Sequence, residues 1–179
     1  NMPKNSAARM PKRLLRRIVS KDFFPLDSMT VRPATENDIP VLVGFQKKMA
    51  WETEKIELPE DVLTRGVTEL FFYPEKGKYY VAEENNSIVG CLMTTYEWSD
   101  WRYGTVIWIQ SVYIDAGHRN KGVYSALYGY IKKMVEDDPA LRGIRLYVDK
   151  TNTVAQKVYE RLGMNGEHYA TYEWMKGAY

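Results

Sequence analysis

Along this chain the period of the apolar positions changes several times, and each change marks an element. Met29–Arg32, closed by Pro33, reads as a short first strand. Thr35-Glu-Asn-Asp-Ile39 offers helix-starting chemistry, with Thr35 or Asn37 able to cap free amides. Ile39, Leu42, Val43, Phe45, Gln46, Met49 and Ala50 then recur at helical spacing. Residues Trp51–Ile56 are polar after an aromatic start and predict an exposed bend. Pro59-Glu-Asp restarts a second helix carrying Val62, Leu63, Val67, Leu70 and Phe71. Two strand-like runs, Lys78–Glu83 and Ser87–Tyr96, flank Asn85-Asn86, a hairpin signal. Trp98–Gly104 makes the next turn, and Thr105–Ile114 has the β-branched and aromatic content of a buried strand.

After Gly117 the period becomes helical again through Val123, Leu127, Ile131, Met134 and Val135, until Asp137-Asp138-Pro139 ends it. Gly143–Asp149 reads as a strand. Asn152–Leu162 reads as a helix stopped by Gly163, placed where a left-handed cap would sit. Tyr169–Met175 reads as a closing strand. This alternation of strands and helices predicts an α/β fold, a mixed sheet with helices on both faces.

Composition narrows the chemistry. One cysteine, Cys91, excludes an intrachain disulfide and a cysteine-rich zinc site, and suits a reducing, cytoplasmic setting. Two histidines, His118 and His168, argue against a metal centre, and no apolar run is long enough to span a membrane. Residues 1–21 carry seven basic side chains and no acid, whereas the rest holds 18 basic and 23 acidic ones. Residues 1–28 are therefore separated as a basic N-terminal extension from a domain over 29–179. An Arg-rich, acid-free head also fits an organellar transit segment, a phosphate-attracting arm or a docked amphipathic turn. The acidic balance of the remainder argues against a broad nucleic-acid footprint.

The informative stretch is Val112–Leu127, where a strand passes through a Gly- and Arg-containing turn straight into a helix. First-turn helical amides lack internal partners and lie at the positive end of the dipole, so this junction suits a phosphate. Arg119 and Lys121 add charge, and Gly122 permits close approach. An ordinary turn with solvated basic residues is the competing reading. Neither a Walker A loop nor the three-glycine dinucleotide fingerprint is present.

Arg119-Asn-Lys-Gly122-Val-Tyr124 resembles the Arg/Gln-x-x-Gly-x-Gly/Ala pyrophosphate loop of the GCN5-related N-acetyltransferases (GNAT). Asn152-Thr-Val-Ala155-Gln-Lys-Val-Tyr159-Glu-Arg-Leu-Gly163-Met is similar to that family's second signature, Asn-x-x-Ala-x-x-x-Tyr-x-x-x-Gly-Phe. Tyr124 departs from the pattern, standing where Gly or Ala is usual. The resemblance implies a mostly antiparallel mixed sheet of about six to seven strands, the fourth and fifth splayed apart, flanked by about four helices.

It also implies acetyl-CoA as cosubstrate, with no metal. The pantetheine arm would lie in the splay against Val112, Tyr113 and Ile114, the amide of Val112 facing the thioester carbonyl. The diphosphate would sit on Asn120, Lys121, Gly122, Val123 and Tyr124, with Arg119 and Ser125 in reach, while Asn152 and Ala155 flank the arm. Tyr159 is the candidate that protonates the departing thiolate; its place in the stripe Ala155–Tyr159–Leu162 also suits a core residue. Histone-directed relatives carry a glutamate base on the fourth strand where this chain has Trp108, which favours a small or amino-acid-like amine. Glu52 and Glu54 lead as proton acceptors, followed by Glu97, Asp100 and Asp149. Trp51, Trp98, Trp101 and Trp108 form a candidate aromatic wall, with core and interface packing as the competing reading. The expectation is thus an acetyl-CoA-dependent N-acetyltransferase, monomer or homodimer; peptide acetylation and non-catalytic CoA sensing are the alternatives.

Overall fold

A computed structural model describes residues 29–176; the basic extension of residues 1–28 lies outside them. Strand β1 (Met29–Pro33) is followed by a 3-10 turn, Glu36–Asp38, in which the Asp38 carboxylate gathers the local donors. It accepts from the Thr35 amide at 2.7 Å, the Thr35 hydroxyl at 3.1 Å and the Arg32 guanidinium at 2.7 and 3.1 Å. Helix α1 (Ile39–Glu54) starts there with Pro40 in its first turn, where a missing N–H costs nothing. The bend expected over 51–56 begins only at Lys55, whose left-handed φ of 59° stops the helix. Trp51–Glu54 contains no Gly or Pro, so the helix runs through it. Helix α2 (Glu60–Phe72) follows, with Glu60 and Asp61 at its positive end.

Strands β2 (Lys78–Glu84) and β3 (Ser87–Ser99) are joined through Asn85 and Asn86, both with positive φ, as a tight hairpin requires. Strand β4 (Gly104–Ile114), helix α3 (Val123–Asp137), strand β5 (Leu141–Leu146) and helix α4 (Thr153–Arg161) complete the fold. The sheet order is β1-β2-β3-β4-β5, antiparallel except for the parallel β4–β5 pair that α3 connects. Gly104 is required at the start of β4, since a Cβ there would meet the Ala140 carbonyl at 2.7 Å.

Side chains alternate across the sheet, so two cores form. On one face α3 packs Leu127 and Ile131 against Tyr80, Leu92, Ile107 and Ile109. On the other, α1 and α2 pack Leu42, Phe45 and Val67 against Tyr79, Val81, Cys91 and Tyr113. Burying each such Leu or Ile contributes about 2–3 kcal/mol.

The closing strand expected at Tyr169–Met175 is not formed, so the described residues hold five strands rather than six or seven. Its alternation is real, but no ladder accepts it, and Tyr169, Tyr172 and Trp174 lie exposed. The strand expected at 143–149 begins two residues earlier and ends at Leu146. The order otherwise agrees with the mixed, mostly antiparallel α/β fold and its four helices.

Arg32 holds the Asp38 carboxyl below its usual pKa. A depressed folded-state pKa adds stability that is present above the unfolded value, near 3.9, and is lost as pH falls through the folded value. Asp38→Asn should therefore flatten the acid limb of a urea-unfolding pH profile while lowering neutral-pH stability by about 2 kcal/mol.

Candidate active site

The β4–β5 ladder runs from Thr105/Leu141 to Ile109/Leu146 and stops, although β4 continues to Ile114. Residues Gln110–Ile114 thus have no β5 neighbour, and a cleft opens between the strands. On its other side β4 stays paired with β3, but with a bulge: Met93 faces Gln110 and Cys91 faces Tyr113. Two β4 residues, Ser111 and Val112, therefore oppose Leu92 alone, and Ser111 takes a left-handed φ of 49°. Beyond the bulge the Asp115 amide donates to the Val89 carbonyl of β3 at 2.9 Å. Amide direction alternates along a strand, so Tyr113 and Asp115 point toward β3, and Val112 and Ile114 point into the cleft.

At the end of β4 the chain turns through Ala116–His118 into α3. Asn120 (φ 60°) and Gly122 (φ 83°) are both left-handed, the alternation that bends successive amides into an anion-binding concavity. The first intrahelical bond runs from the Ala126 amide to the Gly122 carbonyl, so those of Val123, Tyr124 and Ser125 have no helical partner. A Cβ built on Gly122 would meet nothing within 4 Å, so the approach is open. The amides, the dipole and exposed Lys121 together fit a diphosphate. Val123 is buried beneath this turn and anchors it to the core.

Arg119 does not point freely to solvent. Its Nε donates to the Ile114 carbonyl at 3.0 Å and its Nη2 to Glu52 Oε2 at 2.5 Å, while Glu52 Oε1 accepts from the Tyr113 hydroxyl at 2.9 Å. The Arg119 guanidinium lowers the Glu52 carboxyl pKa. Glu52 therefore ties the end of α1 to the phosphate turn, and Glu54 sits exposed one turn-end further on.

Asn152 caps α4, its Oδ1 accepting from the Ala155 amide at 3.1 Å, and Gly163 closes the helix with a left-handed φ of 85°. This helix carries Tyr159 half-buried, and burial raises its phenol pKa. The Tyr124 ring turns away from the phosphate turn to lie edge-on to Tyr159, with centroids 5.4 Å apart, and against Tyr128. Its hydroxyl is buried with no hydrogen-bond partner among the described residues.

On the sheet face that α1 and α2 cover only in part, a polar cluster remains. Register places Glu97 and Thr95 of β3, Trp108 and Gln110 of β4 and Arg145 of β5 on this face. Glu97 accepts from Trp108 Nε1 on one oxygen and from Arg145 Nη1, at 2.5 Å, on the other. The Trp108 N–H first, and Arg145 second, lower the Glu97 carboxyl pKa. Gln110 Nε2 donates to the Thr95 hydroxyl at 2.6 Å, and the Tyr147 ring lies 5.8 Å from that of Trp108. A carboxylate from the neighbouring strand thus stands beside Trp108. Cross-strand register was the missing information, because Glu97 and Trp108 are eleven residues apart in the chain. The four tryptophans do not make one wall: Trp98 points to the opposite face, Trp101 is at the hairpin tip, and Trp51 is on α1. Asp100 and Asp149 bond to their own turns.

Among the described residues no group of His, Cys, Asp and Glu is arranged to hold a metal, and no helix is long and apolar enough to cross a membrane. A model of the acetyltransferase (GNAT) family matches residues 47–164. A possible acetyltransferase from Clostridium difficile 630 is 42% identical, with 84% of this chain and 99% of that chain covered and a TM-score of 0.77. AAC(6')-Iy, in complex with the bisubstrate analog CoA-S-monomethyl-acetylneamine, shares the fold at 15% identity (83% and 99% covered, TM-score 0.67). So does ribosomal-protein-alanine N-acetyltransferase from Brucella melitensis biovar Abortus 2308, at 14% identity (84% and 100% covered, TM-score 0.68). The search of curated proteins finds no match. Family match, 42% relative and open β4–β5 cleft agree, and this chain belongs to the acetyltransferase (GNAT) family, as an N-acetyltransferase that uses acetyl-CoA.

Proposed function

We propose that this enzyme acetylates a primary amine on a small, amino-acid-like acceptor, which reaches the cleft from the face carrying Glu97 and Trp108. The observation that supports this most is the cluster itself: a carboxylate, a guanidinium and two aromatic rings, half-buried beside the open half of β4. Such a floor offers opposite charge to an ammonium, a donor to a carboxylate and apolar surface to the body between them.

Bound acetyl-CoA supplies the acyl thioester that the amine attacks directly. The turn from Asn120 to Ser125 would hold its diphosphate, and Asn152 and Ala155 border the arm that Ile114 pairs. The amide of Val112 would face the thioester carbonyl, where negative charge grows; one such preorganised donor contributes about 3–4 kcal/mol to catalysis. Tyr159 is suited to protonating the thiolate, because its phenol is protonated at neutral pH and sits half-buried on α4. The amine must shed a proton. Of the carboxylates, Glu97 faces the open sheet and is held ionised, so it attracts the ammonium, whose proton leaves to water. Glu52 is engaged by Arg119 and Tyr113 beside the turn into α3, and Glu54 is exposed at the end of α1.

Thiol release from acetyl-CoA, followed over a panel of amino acids, polyamines and short peptides, tests the reading; turnover only with peptides would overturn it. Tyr159→Phe should lower kcat by roughly 10²-fold with acetyl-CoA affinity retained, and an unchanged rate would remove Tyr159 from the chemistry. Glu97→Gln should raise the KM for the amine about 10-fold and leave that for acetyl-CoA alone. Gly122→Val, which forces a β-branched residue to a positive φ, should weaken CoA binding in calorimetry by about 1–2 kcal/mol.

A further inference from the structure

The open half of β4 hangs on one residue. Ser111 adopts a left-handed backbone that a non-glycine residue disfavours, and it does so where the strand changes the direction of its amides. The bulge also removes the Ser111 carbonyl from its place in the ladder. Two buried side chains from two other elements converge on this residue. Gln46 of α1, 4% exposed, donates Nε2 to the Ser111 carbonyl at 3.5 Å and to Cys91 Sγ at 3.9 Å. Cys91 of β3 lies 3.9 Å from the same carbonyl. Next along β4, Phe45 packs on Tyr113 with ring centroids 5.0 Å apart. Helix α1 therefore runs as a splint along the part of β4 that β5 leaves unsupported.

We propose that Gln46, backed by Cys91, is a positioning residue that holds Ser111 in its left-handed conformation and so aims the amides of Val112 and Ile114 into the cleft. This rests on the reading of Val112 as donor to the thioester carbonyl. An amide at a buried site in α1 is otherwise unexplained, since an apolar side chain of the same volume would pack there without needing a partner.

The test uses Gln46→Met, which keeps volume and removes the donor, with Gln46→Leu as a second variant that also lacks the donor. Backbone amide NMR reports the 111–114 signals, and calorimetry compares acetyl-CoA, CoA and S-ethyl-CoA, a thioether without the carbonyl. Gln46→Met should move the 111–114 signals while leaving those of Gly122–Ser125 in place. It should reduce the preference for acetyl-CoA over S-ethyl-CoA about 10-fold with CoA affinity unchanged. Adding Ser111→Gly should restore the preference, because glycine adopts the positive φ unaided. Unmoved 111–114 signals in both variants overturn the proposal, as does a lost preference that Ser111→Gly does not restore. A wild-type enzyme with no preference for acetyl-CoA over S-ethyl-CoA would instead remove the role of Val112, and the amide signals then decide the place of Gln46 on their own.

Discussion

A β-strand amide that loses its ladder partner must find another or stay in water, and the whole site is arranged around that constraint. The β4–β5 ladder stops at Ile109 and Leu146, leaving the far half of β4 with donors facing an open cleft. A bulge decides which amides those are, and packing from α1 supports the half of the strand that β5 leaves unpaired. The cleft is therefore a designed shortage of hydrogen bonds in an otherwise saturated sheet.

The two sheet faces divide the work. On the face of α3, the phosphate turn relies on main-chain amides and a helix dipole, and its one arginine is already engaged by Glu52 and the Ile114 carbonyl. On the other face, under the proposed function, recognition would rest on side chains: Glu97, Arg145, Trp108 and Tyr147. A cosubstrate common to many enzymes would then meet the part of the site least dependent on side-chain identity, and the acceptor the part most dependent on it. Tyr124 fits this division, since a ring turned into the core leaves the backbone of the turn free to act.

The sequence was legible where structure is local. Asn85-Asn86 reads as a hairpin because few residues tolerate two positive φ angles, and Gly163 and Asn152 announce the ends of α4 by capping chemistry. The family signatures were legible for the same reason: both lie on single contiguous stretches. Tyr169–Met175 misled because alternation describes a strand's faces and not its partner. The bulge at Ser111, the pairing of Glu97 with Trp108 and the capture of Glu52 by Arg119 were invisible because each joins elements distant in sequence. Gln46 was read as one more member of a helical stripe, although its polarity amid Leu42, Val43 and Phe45 was the signal that a buried partner existed.

The spatial order of the strands repeats their order along the chain, and this has a thermodynamic corollary. The β2–β3 and β3–β4 pairs close through short turns, so little loop entropy is lost in forming them. The β1–β2 pair must close around two helices and the β4–β5 pair around α3, at greater entropic expense and, for β4–β5, with only part of β4 engaged. Local opening is easiest where long closures are secured by few bonds, which makes the β5 edge a low-stability unit beside a rigid β2–β3–β4 centre. Opening at β5 would widen the cleft, so breathing of the fold and entry of a long, thin cosubstrate would share one motion.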